Sequence, residues 1–191
     1  MALSDNKIID EIRSGKKHYF TALVDRYKDR AFTLAVRMLR NREEAEEAAQ
    51  DAFIRAYNAL NRFEGKARFG TWFYRILYNV CLTKVAKRKA APIMSEYDDS
   101  IEPDKAELFA EPSEAIDFET QDIIGFVKRT IDTLPTKYQT ILSLFYFQEL
   151  SHEEIGEVTQ LPIGTIKTHL FRARSLLQQR LQKELQMEKA V

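Results

Sequence analysis

Apolar residues in this chain recur every three or four positions rather than every two, which is the spacing of amphipathic helices. Ile8, Ile9 and Ile12 form one face of a short helix that Ser4 or Asp5 can cap and Gly15 can end. Over residues 17–39, Phe20, Leu23, Val24, Tyr27, Ala31, Leu34, Ala35 and Met38 continue the pattern as a core helix. Asn41 and Glu44 have capping-box spacing at the start of the next helix, which is expected to run to about residue 60. Its inner face reads Ala45, Ala48, Ala49, Ala52, Phe53, Ala56, Tyr57 and Leu60, and the alanines permit a close helix–helix approach. Trp72, Phe73, Ile76, Leu77, Val80 and Cys81 predict the inner side of a helix running to residue 89. The pattern resumes after residue 115 through Ile116, Ile123, Ile124, Val127 and Ile131, stops at Leu134-Pro135, and returns over 136–147.

The last periodic stretch, 151–185, predicts two helices and a turn. Ser151 and Glu154 are spaced for a capping box, and Ile155 and Val158 give the short helix its apolar face. Residues 159–161 break it, and Pro162 can open the next helix, whose first position needs no amide donor. Ile163, Ile166, Leu170, Ala173 and Leu177 form the packing stripe; Thr165, Lys167, Thr168, His169, Arg172 and Arg174 lie opposite. A short helix, a tight turn and a longer basic helix form the arrangement that places a recognition helix in a DNA major groove. Residues 165–183 hold five Lys/Arg and no Asp/Glu. Cations near a helix C-terminus also suit its dipole, but charge, cap and turn together favour DNA binding over a solvated bundle.

Charge changes the picture elsewhere, because a net charge of zero hides an uneven distribution. Glu43, Glu44, Glu46, Glu47 and Asp51 put five acids into nine positions. Two readings fit them: support for the helix N-terminus, and a surface for a basic protein partner. Residues 91–122 carry eleven Asp/Glu against one Lys/Arg, with Pro92, Pro103 and Pro112 interspersed, which predicts an extended linker. Between the first-half helices, residues 61–74 interleave aromatics with Arg62, Lys66 and Arg68, and Gly65 and Gly70 allow turns. Such a segment suits a platform for unpaired bases; core packing explains the same rings. The expected fold is all-α: two small helical domains, 1–90 and 115–191, joined by an acidic linker at 91–114, the second ending in a helix-turn-helix.

Chemistry is excluded more than invited. Cys81 alone permits no internal disulfide and no cysteine-based zinc site, and reads as a buried thiol. His18, His152 and His169 have no ligand spacing, so neither metal nor cofactor is expected. There is no phosphate-binding glycine loop and no nucleophile–base set, so the chain is not expected to be an enzyme. It has no signal-peptide core and no apolar run of about 20 residues, and is expected to be cytoplasmic without membrane insertion.

Four strings carry a resemblance. They are EEAEEAAQDAFIRAYNALNRFEG at 43–65, ARFGTWFYRILYNV at 67–80, LPTKYQTILSLFYFQELSHEEIGEV at 134–158 and PIGTIKTHLFRARSLL at 162–177. In this order the chain resembles bacterial alternative sigma factors of the extracytoplasmic-function group, which carry only sigma regions 2 and 4. The resemblance implies a factor that binds core RNA polymerase, at the β′ clamp helices and the β subunit, and directs initiation at promoters. It implies polymerase contacts at Glu47, Gln50, Asp51, Phe53, Ile54 and Tyr57. It implies −10 contacts, including capture of a base from the melted nontemplate strand, at Phe63, Phe69, Asn79, Lys84, Lys87 and Arg88. In the double-stranded −35 element, Lys167, Thr168, Phe171 and Arg172 are implied at base edges and Thr165 and Arg174 at phosphates. A cognate anti-sigma factor, often membrane-tethered, is implied by the family alone. The chain departs from the family pattern at His169, where arginine is common, and at Lys66 and Arg68, where relatives often have an acid and a small residue. A helix-turn-helix repressor or activator, which explains the aromatic loop poorly, and a helical adaptor, which leaves the basic helix idle, are the competing classes.

Overall fold

The computed structural model describes residues 3–90 and 120–188, all of whose regular elements are helical. The acidic linker at 91–114 and the expected helix start at 115–119 lie outside the described residues.

Helix α1 (Asp5–Arg13) is capped by Ser4, whose side chain accepts from the Lys7 amide, and it buries Ile8, Ile9 and Ile12. The chain reverses through Gly15, whose φ of 100° is open to glycine at little cost, and α2 (Phe20–Leu39) follows a single 3₁₀ turn. Asp5 ties the two together by accepting from the Tyr27 hydroxyl (2.6 Å) and from Arg26. Asn41 caps α3 (Arg42–Ala59), its Oδ1 accepting from the Glu44 amide at 2.9 Å. Ala45, Ala48, Ala52 and Ala56 are fully buried, so α3 lies close against α2 and α4 (Phe69–Ala90).

An aromatic cluster fills the first half. Phe53 stacks on Phe73 with centroids 4.6 Å apart, and Tyr27 meets Phe69, Phe73 and Tyr74. Each such ring contributes about 1.5–3 kcal/mol by burial alone. Cys81 is fully buried beside them, and burial pushes its thiol pKa up to about 12, leaving it inert.

In the second half, α5 (Thr120–Asp132) and α6 (Thr136–Leu142) bracket the Leu134-Pro135 break. The helix expected over 136–147 widens at Ser143 into a π-helical turn, closed by the Gln148 amide on the Ser143 carbonyl at 3.1 Å. Helix α7 (His152–Thr159) has the full capping box: Ser151 accepts from the Glu154 amide, and Glu154 accepts from the Ser151 amide. Gln160, left-handed at φ 61°, ends α7, and α8 (Ile163–Glu188) begins after Pro162. The halves are joined where α7 packs on α4 and α6 on α2.

Candidate nucleic-acid and polymerase interfaces

Helix α8 has two unlike sides. Ile166, Leu170 and Ala173 are buried against α6 and α7, which fixes the rotation of the helix. Lys167, Thr168, Phe171 and Arg172 therefore share the solvent side, and Phe171 keeps 51% of its surface exposed. An exposed phenylalanine between two cations suits apolar contact with a thymine methyl beside hydrogen-bonding side chains. Thr165 sits half-buried at the margin. Arg174 lies over the rings of Phe145 and Tyr146, at 5.3 and 5.6 Å, which aims its guanidinium along the π-turn side. His169 tucks inward against Tyr138, and its buried Nδ1 has no partner among the described residues. Burial, then the charges of Lys137 and Arg172, hold its pKa below 6.5, so the ring is neutral at pH 7.

The 61–68 segment is pinned from below: Arg13 donates to the carbonyls of Leu60 and Phe63. Gly65 at φ 72° turns the chain, and Gly70 has no room for a side chain without pressing on Tyr27, 3.2 Å away. Asn61, Arg62, Glu64, Lys66 and Arg68 are exposed. Phe63 and Phe69 are not; Phe69 is 1% exposed and both rings pack on Trp72. Further along α4, Asn79 and Lys87 face solvent, whereas Lys84 and Arg88 reach across to Glu47 and Glu44 of α3.

On α3, Ile54 is 60% exposed, and beside it lie Glu47, Gln50, Tyr57 and the half-buried Asp51, which pairs with Arg55. Ile54 and Tyr57 are the exposed large apolar side chains of this helix, set among charged neighbours.

Comparison with known proteins decides the family. The description "Sigma-70 region 2" matches residues 23–91, and "Sigma-70, region 4" matches 127–177. The ECF RNA polymerase sigma factor SigW of Bacillus subtilis is 34% identical over 186 residues, covering 95% of this chain and 98% of that one. The RNA polymerase sigma-H factor of Pseudomonas aeruginosa is also 34% identical, over 93% of this chain and 94% of its own. The chain belongs to the ECF sigma factors. Two solved structures share its fold: CnrH in complex with the cytosolic domain of CnrY (TM-score 0.63, 21% identity, 94% and 97% covered), and the sigma factor RpoE of Bartonella quintana with the anti-sigma factor NepR (TM-score 0.62, 21% identity, 85% and 96% covered).

The protein is thus an alternative sigma factor that directs transcription initiation, a family whose role is not catalytic. Among the described residues no cluster could hold a metal ion, and no helix is long and apolar enough to cross a membrane. The region 2 match runs from Leu23 in α2 through α4 and includes the 61–68 loop, and the region 4 match runs from Val127 in α5 to Leu177 in α8. Of the residues expected on the polymerase face, Phe53 is instead core, 9% exposed and stacked on Phe73. Phe63 and Phe69, open to either reading by pattern, are core as well, because three aromatics converge under the loop.

Sequence reasoning passed over the residues that join the two regions. Arg37 of α2 is 6% exposed; its Nε donates to Asp132 and its Nη1 to Ser143, both at 2.8 Å, and it lies over Phe147. Its place three residues after Leu34, on the edge of the apolar stripe, was the available signal. Glu154 is the other junction. Its carboxylate accepts from Arg68 through both oxygens, from the Thr71 hydroxyl (2.7 Å) and from the Ser151 amide (2.9 Å). Burial opposes the charge, but these donors prevail and hold its pKa at about 2.

Proposed function

We propose the following division of labour within this sigma factor. The α3 face of Ile54, Tyr57, Glu47, Gln50 and Asp51 docks on the β′ clamp helices of core polymerase, with Phe53 bracing it from beneath. The 61–68 loop and the Asn79/Lys87 side of α4 handle the −10 element, where Phe63 and Phe69 hold the loop in shape rather than stacking on bases. Lys84 and Arg88 join that DNA surface by exchanging their α3 glutamates for phosphate. Lys167, Thr168, Phe171 and Arg172 read the −35 element, Thr165 and Arg174 position its backbone, and region 4 meets the β subunit. The domain division is 1–90 and 115–191 about the acidic linker. The protein acts in the cytoplasm beside polymerase, and a cognate anti-sigma factor restrains it, in line with the similar structure of the sigma factor RpoE in complex with the anti-sigma factor NepR.

The observation that carries this reading is the α8 face, where cations, a hydroxyl and an exposed ring lie together opposite a buried stripe. Footprinting of reconstituted holoenzyme on a genomic fragment tests it. Two protected tracts are expected, with unpaired thymines only in the downstream one, and Arg172→Ala should erase the upstream tract first. Protection of a single tract that is equally strong without polymerase would instead indicate an ordinary helix-turn-helix regulator.

A further inference from the structure

A helix about 10–12 Å across with its side chains fills a major groove about 12 Å wide, so each of its margins faces a phosphate wall. At about 3.6 residues per turn, Arg174 and His169 of α8 fall about 70° to either side of the buried line of Ile166, Leu170 and Ala173. Phe171, Thr168 and Arg172 span the outward side between them. The two margins are unlike. Arg174 carries a guanidinium placed over Phe145 and Tyr146, so α8 meets that wall with a cation of its own. On the other margin His169 turns in on Tyr138, with ring centroids 5.9 Å apart and Nδ1 buried, and the half-buried Thr165 brings only a hydroxyl. Arg172 stands farther round, toward the groove floor.

A cation reaches this second margin from α6. Lys137 is exposed in the first turn of α6, which packs along α8. Its ammonium lies 5.4 Å from the centre of the Tyr138 ring, the same ring that receives His169. Tyr138 is only 4% exposed, so a fixed side chain sets the place of both. After burial, the charge of Lys137 is the next cause that keeps His169 neutral, which puts the ammonium on the histidine's side of α8. A cation in the first turn of a helix opposes the helix dipole, so the stability of α6 does not account for it.

We infer that Lys137 is a DNA-backbone contact of region 4: it takes a phosphate on the wall of the −35 major groove opposite the wall met by Arg174, so that the recognition helix is held from both sides. The inference deepens the −35 reading of α8 and rests on it. A phosphate contact fixes depth and register without selecting bases, which leaves the reading to Thr168, Phe171, Arg172 and Lys167.

Ethylation interference with reconstituted holoenzyme, on the fragment located by the footprint, tests this phosphate by phosphate. Ethylated phosphates on both walls of the −35 groove should block the wild type. Lys137→Gln, which keeps much of the stem over Tyr138, should lose interference at one wall only. Arg174→Gln should lose it at the other, and Lys137→Arg should retain both. Binding by Lys137→Gln should weaken several-fold at about 0.15 M salt, with the salt slope smaller by about one and the ranking of −35 base substitutions unchanged. In the free chain, proton NMR should find the His169 pKa raised toward 6.5 in Lys137→Gln. Interference lost at both walls together, at the wall of Arg174 or nowhere would overturn the inference, and so would an altered base ranking or an unmoved His169. A wild type that protects no −35 tract would overturn the reading of α8 itself.

Discussion

At the scale of single residues, burial separates the side chains that read from those that support. Arg172 is exposed on α8, and Arg172→Ala should cost about 1–3 kcal/mol of −35 affinity and flatten the salt dependence of duplex binding. His169→Gln should leave that salt slope unchanged at pH 7.5, since the half-buried ring, its pKa held below 6.5, is already neutral there; a slope lowered as much by His169→Gln as by Arg172→Ala would show the histidine to be a cation after all. Phe69→Ala reads as a loss of promoter opening if the ring stacks on a base. Its 1% exposure makes it a core deletion instead, expected to cost about 3–5 kcal/mol of folding stability in denaturant titrations. Glu154 supplies the acid-side dependence. Its folded pKa of about 2 lies below its ordinary 4.5, so its stabilisation is complete above pH 4.5 and is lost as pH falls toward 2. Glu154→Gln should therefore lower Tm at pH 6 and shrink the gap from wild type by pH 2.5. A constant gap would remove the charge from the explanation.

Helices and their ends were the most legible level of this protein. Ser4, Asn41 and Ser151 each announce a helix start by a side chain matched to a nearby amide, and all three caps are present. The 3.6-residue apolar stripes sufficed to place α2, α3 and the α7–α8 turn, because burial on one face is what makes those helices stable. Periodicity was ambiguous where rings crowd. Phe53 belongs to both the inner stripe and the family's polymerase-facing stretch, and only packing against Phe73 assigns it to the core. The π-helical turn at Ser143–Phe147 left no mark in the pattern, since one inserted residue shifts an apolar face without breaking it. On α3 the most exposed large apolar residue is Ile54, and Ile54→Ser should weaken core-polymerase binding by roughly tenfold with an unchanged Tm. A drop in Tm of several degrees without loss of binding would make Ile54 structural.

Across the whole molecule, sequence patterning identified two helical halves with different charge but said nothing of how they meet. A buried arginine such as Arg37 looks like any surface cation until its partners 95 and 106 residues away are in place. Arg68 and Lys66 stood out as cations of the aromatic segment and as departures from the pattern of relatives; Arg68 holds region 4, while Lys66 pairs locally with Glu64. One property defines this chain as a sigma factor: it gives core polymerase a choice of start sites. Run-off transcription from genomic fragments with purified core enzyme measures that property directly. Adding the protein should yield discrete transcripts from a small set of positions, absent with core enzyme alone and abolished by Ile54→Ser at limiting protein. A transcript pattern unchanged by the protein would contradict the account.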